Sequence, residues 1–159
     1  MPILHCQTTA QAKTPNGKTV NVPPAIPLQM RGPVFQVTVT IEQNAGQALI
    51  SQGKTPPTPK TGVALLDTGA SHTCIDEQSA KDLGLPVIDV GTMYSATHEK
   101  IPCNIYPVLI TTPIFNLNSP RTMGANLAAL GLLVLIGRDV LTQCTLFYNG
   151  PTGEFTLSI

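Results

Sequence analysis

The sequence contains few charged residues, and no stretch of it is strongly basic. Asp, Glu, Lys and Arg make up 11% of the chain, against roughly 25% in an average soluble protein. Nine basic and nine acidic residues give a formal net charge of zero. Because a nucleic-acid partner normally requires clustered positive charge, we do not expect this protein to bind DNA or RNA.

Long hydrophobic runs are also absent. The longest, residues 127–136, has about ten residues, whereas a membrane-spanning helix needs about 20. The first residues lack the charged start and the apolar core of a secretory signal. These absences predict a protein without a membrane partner, and the default expectation is a cytoplasmic location.

Cysteines are few and widely spaced. The four of them show no close pairing along the chain: Cys6, Cys74, Cys103 and Cys144. We expect free thiols rather than disulfides, as is usual in the reducing cytoplasm. Since no Cys or His pair has the spacing of metal ligands, the sequence predicts no metal site and no other cofactor.

The residues that are abundant favour β-structure. Apolar residues make up 42% of the chain, which excludes a disordered composition. Val, Ile, Leu and Thr occur with 15 Pro and 13 Gly, a combination typical of short strands separated by turns. The length of 159 residues fits one domain with one core. We therefore expect an all-β domain with one or two short helices.

The chain divides into an arm and a body. Residues 1–32 contain five prolines and no sustained periodicity, which predicts an extended arm lying on the body or on a partner. The body, residues 33–159, is expected to contain strands at 34–41, 47–51, 61–66, 87–95, 100–111 and 132–136, and a terminal hairpin at 145–148 and 154–158. Short helices are predicted at 76–83, where Asp76 is the cap, at 137–143 and, within an irregular stretch, at 123–130.

One segment suits catalysis by carboxylates. In Ala64-Leu-Leu-Asp-Thr-Gly-Ala70, Asp67 directly follows the apolar end of a predicted strand. Gly69 lets the chain turn tightly. Peptide hydrolysis by carboxylates needs two acids that share one proton, so that one activates water while the other protonates the scissile carbonyl. The chain has one Asp-Thr-Gly unit and no internal repeat, so a two-fold symmetric dimer would have to supply the second Asp67.

Asp-Thr-Gly alone is weak evidence, because roughly a few per cent of chains this long contain it by chance. In that case Asp67 would simply end an ordinary strand. A second segment strengthens the functional interpretation of Asp67. It combines an apolar predicted strand, a glycine and the start of a predicted helix in Leu132-Leu-Val-Leu-Ile-Gly-Arg-Asp-Val-Leu141. Its glycine, Gly137, follows Asp67 by 70 residues (137 minus 67).

Together, the two segments resemble the retropepsin family of aspartic proteases. Its members carry an apolar-apolar-Asp-Thr-Gly-Ala motif and, downstream, an apolar-Ile-Gly-Arg-Asp/Asn-apolar-Leu motif, and both occur here in that order. The tail, residues 141–150, is most similar to a bacterial branch of the family. The resemblance covers residues 34–159 and implies a closed-barrel acid protease fold and a homodimer that cleaves peptide or protein substrates.

The resemblance also implies roles for the residues of both motifs. Asp67 is the catalytic acid. Thr68 bonds to the partner's loop beneath the active site, and Gly69 presents its backbone carbonyl to substrate. Ile136 and Gly137 pack behind the catalytic loop.

Arg138 is expected to start the second helix and to pair with a carboxylate, for which Asp76 and Asp139 are the candidates. Ser71 and His72 stand where viral members often carry acidic residues, which is a departure from the family's pattern. The residues expected to contact substrate are Ala70, Ser71, Tyr94, Ser95, Ala96, Thr97 and His98.

Two further expectations concern hairpins. A retropepsin closes over its substrate with a β-hairpin that is usually rich in Gly at its tip; here this flap would be residues 91–107, with a tip near 95–98 that lacks Gly. A second function therefore stays open, in which the same fold is a catalytically weak or inactive module that binds a peptide or protein. The terminal hairpin, residues 144–159, is expected to join an intermolecular sheet, since it would otherwise leave a sheet edge exposed.

Overall fold

The protein is described by a computed structural model that covers residues 2–94 and 99–159, and its fold is mostly β. The strands are β1 (Ile3–Gln7), β2 (Ala10–Lys13), β3 (Thr19–Val22), β4 (Val34–Ile41), β5 (Lys60–Leu66), β6 (Cys74–Asp76), β7 (Asp89–Tyr94), β8 (Lys100–Thr111), β9 (Asn116–Ala125), β10 (Val134–Ile136), β11 (Thr145–Asn149) and β12 (Glu154–Ser158). The helices are α1 (Ala25–Arg31), α2 (Gln43–Ser51), α3 (Glu77–Asp82) and α4 (Arg138–Leu141), with a 3-10 helix at Ala128–Leu130. The mostly β class predicted from composition is confirmed, although the described residues form more short helices than the one or two expected.

A seven-stranded sheet forms the body. Its order is β4-β5-β10-β6-β9-β8-β7, and β4 also pairs with β8. Six strands therefore form a closed cycle of pairings, as a barrel requires, and β7 extends it as a partner of β8. Strand β10 runs parallel to β5 with Ile136 opposite Leu66. The residues that follow these strands, Asp67 and Gly137, therefore lie side by side.

The alternation along β4 places one face of this strand in the core. Phe35, Val37, Val39 and Ile41 are buried, while the residues between them are half-buried or exposed. Burial of one such apolar side chain contributes about 1.5–3 kcal/mol. The core strands thus form a rigid support for the loops at their ends.

Helix α2 corrects the prediction of a strand at 47–51. The carboxylate of Glu42 accepts a hydrogen bond from the N–H of Ala45 at 2.8 Å and so caps the helix. The segment that follows contains two Gln, two Ala and one Leu, residues that favour a helix. The predicted window, residues 47–51, has three apolar residues, which is too short a run to distinguish a strand from the end of a helix.

The helix predicted at 123–130 is also wrong for most of its length. Met123, Gly124 and Ala125 belong to β9 and pair in parallel with β6. Only Ala128–Leu130 turns, as a 3-10 helix. Pairing on both sides of β9 outweighs the helical preference of these residues, because strand formation depends strongly on context.

The N-terminal segment contains three strands and a helix rather than an arm that is extended throughout. Strand β1 pairs antiparallel with β12, which gives a small sheet in the order β1-β12-β11. Strands β2 and β3 form a separate hairpin. Helix α1 follows Pro24 and accommodates Pro27 in its first turn, where an N–H has no helical acceptor anyway. The division of the chain at residue 32 stays a prediction.

The predicted terminal hairpin is present as β11 and β12. Among the helices that the structure describes, none combines the length and the apolar character needed to cross a membrane.

Candidate active site

Asp67 lies at the end of β5, directly after the buried Leu66. Its N–H donates to the carbonyl of Ile136 at 2.9 Å, which fixes the start of the loop against β10. The N–H of Gly69 donates to Asp67 Oδ1 at 2.8 Å. Among the described residues this is the only hydrogen bond to the half-buried carboxylate, so Oδ2 is open to water or substrate.

Arg138 supports the loop that follows Asp67. Its Nη1 donates to the carbonyls of Thr68 at 2.7 Å and Gly69 at 2.9 Å, and its Nη2 donates to Ser71 Oγ at 2.9 Å. The backbone N–H of Arg138 also donates to the carbonyl of Ala70 at 3.0 Å. The expected pairing of Arg138 with a carboxylate is therefore wrong for the described residues. Its guanidinium donates instead to two backbone carbonyls and one hydroxyl of the loop that follows Asp67.

Asp139 and Thr73 join the far end of this loop to α4. Asp139 accepts from the Thr73 N–H at 2.9 Å and from the Thr73 hydroxyl at 2.8 Å. The same hydroxyl oxygen accepts from the N–H of Gly137 at 3.1 Å. Asp139 therefore has a structural role, because it holds Thr73. Thr73 in turn supports the loop that follows Asp67, and neither motif predicted this role.

Gly137 is required for space rather than for its backbone angles. Its φ of −90° is ordinary. A Cβ at this position would lie 2.5 Å from the carbonyl carbon and 2.6 Å from the carbonyl oxygen of His72. The loop that follows Asp67 therefore packs directly on the backbone of Gly137 at His72.

We expect Gly137→Ala to push the catalytic loop away from β10. The substitution should cost about 1–3 kcal/mol of unfolding free energy, as overpacking typically does, and it should lower any hydrolytic activity. Urea unfolding at neutral pH measures the stability change. Gly150→Ala is the matched control, because the nearest atom to its new Cβ is 3.7 Å away. Equal stabilities of the two variants would contradict this explanation.

The predicted substrate-contacting residues occupy different places. Ala70 and Ser71 lie in the loop that follows Asp67. Tyr94 is the last residue of β7, and 66% of its surface is exposed. The other four, Ser95, Ala96, Thr97 and His98, lie outside the described residues. Strands β7 and β8 pair from Asp89 to Tyr94 and so form the expected hairpin.

A cavity of about 680 Å³ lies along β5. Val63 and Leu65 line it and alternate with the buried Ala64 and Leu66, so they lie on one face of the strand. Leu65 is the lining residue nearest to Asp67 in the chain, two positions before it. The remaining lining residues are Met30, Arg31, Val34, Phe35, Gln36, Leu130, Gly131 and Leu132. The lining is mostly apolar, and four separate segments supply it, so no single motif could predict it.

Asp76 holds the start of one wall of this cavity. Its buried Oδ1 accepts from the N–H groups of Leu127 at 3.1 Å and Ala128 at 2.9 Å, and its Oδ2 caps α3 by accepting from the Ser79 N–H at 2.9 Å. Burial raises the pKa of Asp76, but these hydrogen bonds outweigh it and leave the pKa below its ordinary value. The predicted helix cap is confirmed, and the carboxylate also ties α3 to the segment before Leu130.

Thiol chemistry does not fit this site. Burial, together with smaller contributions from Cys103 and the carboxylates of Asp139 and Asp67, raises the pKa of Cys74 to about 11. The thiol is therefore neutral near pH 7 and a poor nucleophile. All four cysteines are free. Within residues 2–94 and 99–159, no group of three or more His, Cys, Asp or Glu side chains could hold a metal ion.

Comparisons with known proteins agree with the sequence motifs. Residues 37–108, which include Asp67, Thr68 and Gly69, match the family model described as aspartyl protease. A search of curated proteins found no matching sequence.

Two solved structures are similar to the fold. A retropepsin-like aspartic protease from Rickettsia conorii has 13% identity and a TM-score of 0.42, with coverage of 79% of this chain and 91% of that one. The retroviral protease-like domain of Ddi1 from Leishmania major has 14% identity and a TM-score of 0.38, with coverage of 73% and 81%. Both scores are below 0.5, so neither structure carries an assignment of activity. With the family match over the segment that holds Asp67, the predicted resemblance of this chain to the retropepsin-like aspartic proteases is confirmed.

Proposed function

We propose that this protein is an aspartic endopeptidase whose carboxylate dyad consists of Asp67 from each of two subunits. The observation that carries the proposal is the position of Asp67, on a loop braced by Arg138 and packed on Gly137. The rigid loop holds one carboxylate oxygen and leaves the other open. Such preorganisation is what general acid–base catalysis requires.

In the proposed reaction, the two carboxylates share one proton. The ionised Asp67 takes a proton from water, whose oxygen attacks the scissile carbonyl carbon. The protonated Asp67 gives its proton to the carbonyl oxygen, and a tetrahedral diol forms. Proton transfer to the amide nitrogen then lets the C–N bond break, which releases an amine and a carboxylic acid. The pH dependence would belong to the pair rather than to either Asp67.

The exposed hydroxyl of Thr68 is consistent with a partner subunit. Thr68 has no side-chain hydrogen bond among the described residues, and it lies next to Asp67 on the exposed part of the loop. A copy of the chain related by a two-fold axis near Asp67 would bring both Thr68 side chains to the interface. We propose that they bond to the partner's loop there.

The small sheet has two edge strands, β1 and β11, because β12 is paired on both sides within the described part of the chain. The edge of β11 is the one that the terminal hairpin offers for dimerisation. Two hydrogen bonds fix which backbone groups of this sheet point to which neighbouring strand. The Thr8 N–H donates to the Gly153 carbonyl, and the Ile159 N–H donates to the Pro2 carbonyl. By that alternation, the backbone groups of Leu146 and Tyr148 point to the free edge. We propose that β11 pairs there with β11 of a second copy.

We expect Tyr148→Pro to weaken the dimer because it removes an edge N–H from each subunit. Two lost hydrogen bonds of about 1 kcal/mol each correspond to roughly a 30-fold higher dissociation constant. Sedimentation equilibrium measures the constant, and the specific activity should fall in parallel on dilution. Tyr148→Ala is the control, because it loses the same ring but keeps the N–H. A monomer that cleaves peptides at full rate would rule out the dimer mechanism.

Digestion of a peptide library between pH 3 and pH 7 tests the activity itself. The cavity along β5, whose lining includes Leu65 two residues before Asp67, leads us to expect cleavage next to large apolar residues, because a mostly apolar pocket gains most from burying such a side chain. Cleavage should be absent from the Asp67→Ala protein. Peptides that bind without being cleaved would instead favour the binding module.

A further inference from the structure

A second cavity, also of about 680 Å³, lies at the base of the β7–β8 hairpin. None of the candidate active-site residues that the structure describes lines it. Its apolar walls are Val90 and Met93 of β7 and Ile101, Pro102 and Cys103 of β8, and Glu77 at the start of α3 brings the one carboxylate. A mostly apolar cavity with a single charged group has the composition of a small-molecule site.

The two carboxylate oxygens of Glu77 differ in the hydrogen bonds that they accept. Oε1 accepts from Asn104 Nδ2 at 2.7 Å, from the Tyr106 hydroxyl at 2.8 Å and from Lys81 Nζ at 3.1 Å. Oε2 is buried and has no hydrogen-bond partner among the described residues. It packs against Gly124, which itself lines the cavity. A buried carboxylate oxygen without a donor is unfavourable, so a donor entering from the cavity would be stabilised.

Glu77 carries its negative charge at neutral pH. Burial raises the pKa of Glu77, but hydrogen bonds from Asn104, Tyr106 and Lys81 outweigh it and leave the pKa below its ordinary value. The side chain of Lys81 is 55% exposed, so water screens much of its positive charge. The cavity therefore presents a negative charge that is only partly compensated, next to apolar walls.

We propose that this cavity binds an alkylammonium group. The ammonium donates to Oε2 of Glu77, and the aliphatic chain packs on Val90, Met93 and Ile101. The three donors to Oε1 hold the carboxylate in place, so the ammonium reaches Oε2 on the side that packs against Gly124, which lines the cavity. A neutral alcohol offers no charge to Glu77, and an alkyl carboxylate is repelled by it.

The ligand would connect the base of the hairpin to α3 and to the end of β9. If the β7–β8 hairpin is the flap of the proposed protease, a bound ligand would also change the rate at which the hairpin closes over substrate. That consequence depends on the proposed function, whereas the binding itself does not.

Titration with n-hexylammonium chloride, followed by backbone amide NMR shifts, tests the site. We expect saturable shifts that cluster at the cavity, and an affinity at least about tenfold higher than for 1-hexanol, because the ammonium makes a charge-assisted hydrogen bond. Sodium hexanoate should give no saturable shifts there. The Asp67→Asn protein should bind unchanged, which separates a failure of this site from a failure of the protease proposal.

Two variants and one control complete the test. Glu77→Gln should reduce the affinity for n-hexylammonium to that for 1-hexanol, and Glu154→Gln, the same change on β12, should leave it unaltered. Val90→Lys, at a position 64% exposed, should abolish binding by placing a competing cation at the cavity, and it tests the site even if Glu77→Gln fails to fold. Equal affinities for the amine and the alcohol, or unchanged binding by Val90→Lys, would overturn the proposal.

Discussion

Asp67→Asn should abolish peptide cleavage and leave the protein folded. Asn keeps an oxygen that can accept from the Gly69 N–H, so the loop retains its main contact. It cannot exchange a proton near neutral pH, so the dimer loses both the acid and the base. We expect kcat/KM to fall by about 10⁴-fold, the upper end for general acid–base catalysis.

Activity assays on purified protein, with circular dichroism and thermal unfolding, measure the two parts of this prediction. Asp82→Asn is the matched control, because Asp82 is an exposed carboxylate at the end of α3 with 55% of its side chain accessible. Cleavage that persists in the Asp67 variant would remove the catalytic assignment.

Subunit mixing then distinguishes a shared dyad from two independent sites. When wild-type and Asp67→Asn subunits are mixed in equal amounts and allowed to exchange, only pairs of wild-type subunits contain a complete dyad. About a quarter of the activity of the same total amount of wild-type protein should remain, against about half for independent sites. The residual activity therefore tells whether one active site contains Asp67 from both subunits.

Local patterns were sufficient to predict much of the framework around the candidate active site. The apolar run before Asp67 and the run before Gly137 each predict a strand, and the structure pairs them in parallel so that the two motifs meet. The cap at Asp76 and the terminal hairpin were also predictable, because caps and turns depend on a few neighbouring residues. These features need no knowledge of distant contacts.

The features that sequence reasoning missed depend on distant contacts. The partner of Arg138 is set by how the catalytic loop turns its carbonyls, which its motif does not specify. Asp76 bonds to residues about 50 positions away, and β1 pairs with β12 at the other end of the chain. Charge type and periodicity give no register for such contacts, so they could not predict the cavity along β5 or the residues that form its wall.

Asp76→Ala should cause the largest loss of stability of any single carboxylate deletion considered above. Three backbone N–H groups, those of Ser79, Leu127 and Ala128, would lose their acceptor at a buried site. Hydrogen bonds to charged groups contribute about 1.5–3 kcal/mol each, and they are not fully additive, so we expect a loss of about 3–5 kcal/mol. Asp76→Asn keeps one acceptor oxygen and should lose less.

The loss should depend on pH in a defined direction. Because the folded-state pKa of Asp76 is lowered, its contribution is fully present above the unfolded pKa of about 3.9 and disappears as the pH falls through the folded-state pKa. Urea unfolding of the wild type and Asp76→Ala should therefore differ most near pH 7 and least in strong acid. Asp82→Ala provides the exposed control, and a difference that is constant with pH would show that the carboxylate charge is not responsible.

In the proposed protease, the same contact links stability to substrate selection. Leu127 and Ala128 lead into the cavity wall formed by Leu130, Gly131 and Leu132. Loosening this wall with Asp76→Asn should raise KM most for peptides with a large apolar residue at the cleavage site, because their affinity depends on a well-packed cavity. Since Asp67 and Arg138 lie on other segments of the chain, kcat should change little. A uniform fall in kcat for all peptides would instead indicate that the substitution reaches the catalytic loop itself.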